Sequence, residues 1–358
     1  MEIYCGLCGK KAHQLFTHLR TVHEMKPEKY RERCPDAPLV SEDLARYLAD
    51  QQVVPTEQGL KKRQELFDVD FFTDILPGSL VPKLDEEYVF QEDLSHKILV
   101  SLREGEKIML VGPTGLGKST LIEQLAARLN WPLIRVAASG GLTESDFLGE
   151  WTVQDGETVF NYGFLPRAMM QGAICLIDEI DGIEPSVAFS IHQLLEDQGK
   201  LVLLQNGGEV IEPHQNFRLV ATANTLGHGD EAGLYTGTRV LNAAFLDRFA
   251  AVFRMDYMPP TLESRVICQR VPDCRPALAK TLVKVAGDVR QAIWEDEQYC
   301  TFSTRRLIDL ARKFHQLGDL PAALNLTVLN KMAQSDRQVV YEICQRHLGD
   351  LMEGGNEE

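Results

Sequence analysis

Lys107-Ile108-Met109-Leu110-Val111-Gly112-Pro113-Thr114-Gly115-Leu116-Gly117-Lys118-Ser119-Thr120 is the stretch from which the rest of the chain is read. The apolar run 107–111 predicts a buried strand, 112–119 fits G-x-x-x-x-G-K-[ST], and Thr120-Leu121-Ile122-Glu123-Gln124-Leu125 opens a helix. Strand, glycine-rich loop and helix in that order suit a phosphate chain. The glycines let backbone N–H groups wrap the phosphates, and the helix N-terminus adds a favourable dipole. Lys118 supplies a point charge for the β and γ phosphates, and Ser119 is a ligand for Mg²⁺. Gly112, Pro113, Thr114, Gly115, Leu116, Gly117, Lys118, Ser119 and Thr120 are thus the candidate nucleotide-binding residues. The competing reading is a glycine-rich turn with a surface lysine.

Two further strands lie downstream. Ala173-Ile174-Cys175-Leu176-Ile177 runs into Asp178-Glu179-Ile180-Asp181, an apolar strand ending in carboxylates. Asp178 is placed to hold Mg²⁺ through water, and Glu179 to orient or deprotonate an attacking water. Alternatively, these acids cap the next helix. Phe217-Arg218-Leu219-Val220-Ala221-Thr222-Ala223 ends at Asn224, whose amide is suited to the γ-phosphate or the lytic water, or is simply a turn residue.

Between 88 and 257 such strands alternate with helical stretches, which predicts a parallel α/β sheet covered by helices. From 259 to 348 the strand signals fade, and amphipathic stretches at 307–317 and 330–347 predict a helical domain. The expected division is 1–36, a small separate module; 37–84, a connecting arm with a short helix from Ser41 to about Ala49; 85–258, the α/β core; and 259–358, a helical lid with a frayed tail.

Composition narrows the class. With 358 residues, 44% hydrophobic and 25% charged, the chain fits two or three globular domains and excludes collagen-like, disordered and disulfide-scaffold readings. No apolar run approaches the ~20 residues of a membrane helix, so no membrane partner is expected. The N-terminus has no secretory signature, which makes a reducing cytoplasm the expected compartment. A net charge of −15 argues against non-specific coating of nucleic acid, so any such contact is local.

Taken together, the segments from about 85 to 348 resemble the AAA+ ATPases, and more closely the MoxR branch with its CobS-like members, the ATPase subunits of aerobic cobaltochelatase. The most specific element is Asn224-Thr225-Leu226-Gly227-His228-Gly229-Asp230-Glu231-Ala232-Gly233-Leu234-Tyr235-Thr236-Gly237-Thr238, which looks like the loop after sensor 1 in CobS-like proteins. The resemblance implies ATP hydrolysis with Mg²⁺, with Asn224 as sensor 1. Arg248 in Phe245-Leu246-Asp247-Arg248-Phe249 matches the arginine finger offered to a neighbouring subunit, the bland alternative being a surface ion pair with Asp247. An arginine there is worth ~10³ to 10⁵ in rate. Arg305 in Phe302-Ser303-Thr304-Arg305-Arg306-Leu307 matches sensor 2, with Arg306 as the alternative. A finger acting in trans implies a homo-oligomeric ring, expected to be a hexamer. The resemblance further implies a protein client, remodelled or loaded with metal, and a partner with a von Willebrand factor A domain. Two hairpin signals, around Asp155-Gly156 and Asn206-Gly207-Gly208, fit the branch's pore-facing inserts or are edge hairpins.

The N-terminal module carries Cys5-x2-Cys8-x9-His18-x4-His23, a donor set and spacing suited to tetrahedral Zn²⁺, with His13 as a competing ligand. It resembles the bacterial Ros/MucR-type C2H2 zinc finger. Seven Lys/Arg against five acids leave residues 1–36 at only +2. Lys10, Lys11 and Arg20 either contact nucleic acid phosphate, recruiting the ATPase to DNA, or the finger docks a protein or simply folds around its metal.

Overall fold

The computed structural model describes residues 80–138, 141–154, 156–184, 199–225, 243–295 and 302–352, with shorter stretches between 3 and 35, at 65–66 and 69–70, and between 187 and 196. The helix expected at 41–49 lies outside the described residues. Near the N-terminus, Ile3–Tyr4 pairs antiparallel with Lys11–Ala12.

The α/β region opens with α1 (Glu92–Glu104), whose first-turn acids Glu92 and Asp93 oppose the helix dipole and whose end is closed by Gly105 at a φ of 80°. There follow β1 (Ile108–Val111), α2 (Lys118–Leu129), β2 (Leu133–Ala137) and α3 (Glu144–Leu148). A capping box between Thr143 and Asp146 starts α3. β3 (Gly149–Gln154) and β4 (Glu157–Tyr162) form the first expected hairpin, α4 (Phe164–Gln171) leads into β5 (Ile174–Asp178), and β6 (Leu201–Leu203) with β7 (Glu209–Ile211) forms the second. Then come β8 (Arg218–Ala223), α5 (Ala243–Leu246) and β9 (Ala251–Arg254).

One five-stranded sheet, ordered β9-β1-β8-β5-β2 and parallel throughout, organises this region. Its central strands are apolar on both faces because helices cover both. Met109, Val111, Cys175, Ile177, Leu219 and Ala221 face one cluster, which includes Phe147, Leu165 and Ile191. Ile108, Leu110, Ile174, Leu176 and Val220 face the other, with Leu99, Ile122, Leu125 and Trp131. That two-residue alternation is why the strands read as continuous apolar runs. Leu80 and Lys83 already bond to this body: the Leu80 carbonyl accepts from Leu133 N at 3.0 Å, and the Lys83 carbonyl from Gln124 Nε2 at 3.0 Å.

The helical region comprises α6 (Pro260–Arg270), α7 (Pro276–Glu295), α8 (Thr304–Leu317), α9 (Leu320–Thr327) and α10 (Gln334–Met352). It encloses its own core, including Leu282, Phe302, Leu310, Phe314 and Cys344. The amphipathic stretch expected from 330 becomes helical only at Gln334, after a tight turn over Leu329–Lys331. Among the described residues no helix is long and apolar enough to cross a membrane.

Candidate functional site

Register places three strand ends side by side. Val111 pairs with Ala223, Ala221 with Ile177, and Asp178 with Ala137, so β1, β5 and β8 all finish at one edge of the sheet. This carboxyl edge is where α/β sheets present ligand sites. The Gly112 amide donates to the Ala223 carbonyl at 3.3 Å. A Cβ at Gly112 would fall 2.2 Å from the Met255 carbonyl oxygen, so a side chain is excluded where β1 hands over to the loop. Gly117 has open space around it; its φ of 86° is what demands glycine, and α2 starts immediately after it with its free N–H groups turned to the loop.

Lys118 is buried, and its Nζ donates to the carbonyls of Gly112 (2.6 Å) and Pro113 (3.1 Å) and to Asn224 Oδ1 (2.9 Å). Burial pushes its pKa down to about 8; the carboxylates of Asp181, Asp178 and Glu179 oppose that fall, and Arg305 adds to it. Thr114 Oγ1 also donates to Asn224 Oδ1, at 3.1 Å.

Asp178 is enclosed by donors. Its Oδ1 accepts from Ser119 Oγ (2.5 Å) and Thr222 Oγ1 (2.6 Å); its Oδ2 accepts from Arg135 Nε (2.8 Å) and from Arg135 Nη2. Burial alone would raise its pKa, but the two hydroxyls and the guanidinium outweigh burial and hold it below the usual carboxylate value. Glu179 is exposed and sits at a φ of 55°, a left-handed conformation unfavourable for a residue with a Cβ, with its amide donating to Thr222 Oγ1 at 3.1 Å. Asp181, fully buried, accepts through Oδ2 from the amides of Asn224 (2.9 Å) and Thr225 (3.0 Å).

The two arginines occupy different places. Arg305 lies in the first turn of α8, exposed, with its Cβ 3.8 Å from a Cβ built at Gly115, while Arg306 is half-buried. Arg248 pairs with Glu196 at 3.0 Å. Glu196 also takes Lys107 Nζ on its carbonyl at 2.7 Å, and the Ala250 amide bonds to the Lys107 carbonyl at 2.9 Å. Lys107 precedes β1, so Arg248 sits at the amino edge of the sheet, a strand's length, roughly 15 Å, from the glycine loop.

In the N-terminal module the ligand atoms of Cys5, Cys8 and His23 lie within 4.8 Å of one another, with Cys5 Sγ 3.5 Å from His23 Nε2. Two thiols and an imidazole at that spacing fit Zn²⁺. His13 and His18 lie outside the described residues, as does the loop from Leu226 to Thr238. The two hairpins touch, Trp151 Nε1 donating to the Gln205 carbonyl at 2.8 Å, and they expose Trp151, Val153, Leu204 and Val210.

Sequence reading overlooks Arg135 and Thr222, and gives Asp181 only as one of the carboxylates that end the strand. The available signal was polarity out of place: an arginine inside Leu133-Ile134-Arg135-Val136-Ala137 and a threonine inside the apolar run Leu219-Val220-Ala221-Thr222-Ala223.

Residues 107–249 match the model of the AAA domain (dynein-related subfamily) and residues 1–51 that of the ROS/MUCR transcriptional regulator protein. The aerobic cobaltochelatase subunit CobS of a Sinorhizobium species is 37% identical over 300 residues, covering 80% of this chain and 90% of that one. The chain belongs to the CobS-like, MoxR branch of the AAA+ ATPases. Within it, the denitrification regulatory protein NirQ of Stutzerimonas stutzeri is 31% identical, covering 72% of this chain and 87% of its own. The RuvB Holliday junction branch migration motor of Thermotoga maritima, a solved structure, is 18% identical with a TM-score of 0.42, over 78% of this chain and 76% of that one. As a member of this family the chain is an ATP hydrolase that uses Mg²⁺-ATP. The residues fit that substrate: glycine loop, helix N-terminus and buried ammonium suit the phosphates, and the Ser119 and Asp178 pair suits the cation.

Proposed function

We propose that this protein assembles into a homo-oligomeric ring, a hexamer, in which ATP hydrolysis drives remodelling of a protein partner or insertion of metal into it. The observation that carries the ring is the position of Arg248: it lies at the opposite sheet edge from Lys118, beyond the reach of its own chain's site. A finger so placed serves the site of an adjacent copy. In that site Lys118 binds the β and γ phosphates, and Ser119, backed by Asp178, holds the cation. Glu179 orients and deprotonates water, Asn224 fixes that water and the γ-phosphate, and Arg305 closes over the phosphates from the lid. Magnesium, when bound, neutralises charge building on the phosphate oxygens.

Metal insertion as one form of the work follows from the relative named as a cobaltochelatase subunit. The partner, in this reading, contains a von Willebrand factor A domain. The division at 36, 84 and 258 belongs to the same proposal, as does Zn²⁺ held by Cys5, Cys8, His18 and His23 in the finger.

Mixing two inactive variants tests the ring. Lys118→Ala retains a finger and lacks a working site; Arg248→Ala retains the site and lacks the finger. Activity recovered on mixing is the expected result, and Arg248→Ala turning over at the parental rate at every protein concentration overturns it. Capture of a client by Glu179→Gln under ATP tests the remodelling half.

The match of residues 1–51 to transcriptional regulators favours a second reading, a DNA-associated motor recruited through the finger. Its mark is ATP turnover stimulated by duplex DNA, falling steeply with salt, and lost on replacing Lys10, Lys11 and Arg20.

A further inference from the structure

Arg135 stands on edge strand β2 with a side chain 46% exposed, yet its guanidinium is committed at three points. Nε and Nη2 both close on Asp178 Oδ2, and Nη1 donates to Glu123 Oε1 on α2 at 3.0 Å. An ionised carboxylate offers about four acceptor positions. Here Ser119 and Thr222 take those of Oδ1, and the two arginine N–H groups take those of Oδ2. Held so, Asp178 has no oxygen left for direct coordination and acts through the groups it orients. The arginine also offsets one of three carboxylates, Asp178, Glu179 and Asp181, that act on Lys118.

We propose that Arg135 is a positioning residue of the ATP site: its fork on Oδ2 aims Oδ1 of Asp178 at the Ser119 hydroxyl, and its charge weakens the site's hold on the divalent cation. The inference rests on reading Asp178 as the magnesium-site carboxylate. Two functions are thereby separable, direction and charge. Lysine supplies the charge as a single point and lacks the planar fork.

The experiment uses the full chain and two readouts, the Mg²⁺ concentration that half-saturates binding of a fluorescent ADP and the kcat for ATP. Arg135→Met is expected to lower the Mg²⁺ half-saturation about fivefold and kcat about tenfold, the scale of losing a charge-assisted bond at a half-exposed site. Arg135→Lys is expected to restore the Mg²⁺ half-saturation to within about twofold while kcat stays low. Unchanged values for Arg135→Met, or cation affinity falling together with kcat, overturn the proposal. Should Arg135→Met fail to fold, Glu123→Ala carries the test. Releasing Nη1 is expected to lower kcat about threefold, and a parental kcat there overturns the proposal. Asp178→Asn separates the two failures: Mg²⁺-dependent ADP binding that survives it sinks the reading of Asp178, whereas its loss beside an inert Arg135→Met sinks only the inference.

Discussion

Two buried charge clusters in this protein are built to opposite rules. In the lid, Glu263 is fully buried and accepts from Arg290 Nη1 (2.8 Å), Arg290 Nη2 (2.7 Å) and Thr304 Oγ1 (2.6 Å). Arg290 Nε bonds the Phe302 carbonyl at 2.8 Å, and its guanidinium lies 3.7 Å from the Tyr257 ring centroid. These groups tie α6, α7 and the start of α8 together with little left unbonded. At the carboxyl edge of the sheet the accounting is looser. Lys118 is held by two carbonyls and an amide, Asp181 Oδ1 is buried without a hydrogen bond, and Glu179 keeps a left-handed backbone. A closed cluster fixes the shape of the lid; an incompletely bonded one keeps capacity for a substrate.

That contrast predicts that one substitution in each cluster fails differently. Lys118→Ala should lower kcat/KM for ATP by ~10² to 10³, the scale for removing one preorganised donor from a developing charge. Its thermal midpoint should not fall, because a desolvated ammonium is being removed. Glu263→Gln should do the reverse, leaving the Arg290 charge uncompensated and costing about 3 kcal/mol in urea unfolding. ATP turnover below the transition should stay within a few fold of the parent. A Lys118→Ala that unfolds, or a Glu263→Gln that is stable but inactive, would erase the distinction.

The regions meet at Gly115, whose φ is 83° and where a Cβ would lie 2.6 Å from Ser303 Oγ and 2.7 Å from Ser303 Cβ. Gly115→Ala should cost about 1–2 kcal/mol from the left-handed backbone and the collision together. Adding Ser303→Gly should recover only the collision, visible as partial return of the melting temperature.

Lys118 sharpens the comparison through pH. Its folded pKa of about 8 lies below the ordinary lysine value of 10.5 because burial disfavours the ammonium. Between those two values the unfolded chain keeps a proton that the folded chain has released, so this group's contribution to stability rises with pH. ATP affinity runs the other way, since phosphate favours the charged form. Affinity should hold below about pH 8 and fall above it by at most about tenfold per unit, with proton uptake on binding measurable by calorimetry in two buffers.

How much of this was legible depends on how local the cause is. β1, β5 and β8 could be read because both of their faces are buried, and the acids at 178–179 because they end such a run. β2 was not read, since an arginine interrupts it. Its bond to Asp178 exists only through the β2–β5 pairing, forty-odd residues apart in sequence. The choice between Arg305 and Arg306 was equally non-local. Helix phase allows either; the packing of Ser303 on the glycine loop brings the Arg305 Cβ near Gly115, and which arginine meets the nucleotide stays part of the proposal. The edge position of Arg248 likewise follows from the partnership of Glu196 with it and with Lys107, which no spacing foretells.

The smallest expected effect tests whether the two clusters communicate at all. Thr304 begins α8, one residue before Arg305, and its hydroxyl donates to Glu263 Oε1, which Arg290 also bonds. Thr304→Val keeps the side-chain shape, leaves the carboxylate with its arginine, and should cost about 1 kcal/mol. If the lid cluster only stabilises, the KM for ATP stays at the parental value and the whole loss appears in unfolding. If it also aims the helix that carries Arg305 at the glycine loop, KM rises about two- to threefold while kcat holds, because uniform binding has been weakened. The geometry favours the second outcome: Ser303, adjacent to Thr304, is the residue in closest approach to Gly115, so a shift at the start of α8 is delivered directly to the glycine loop.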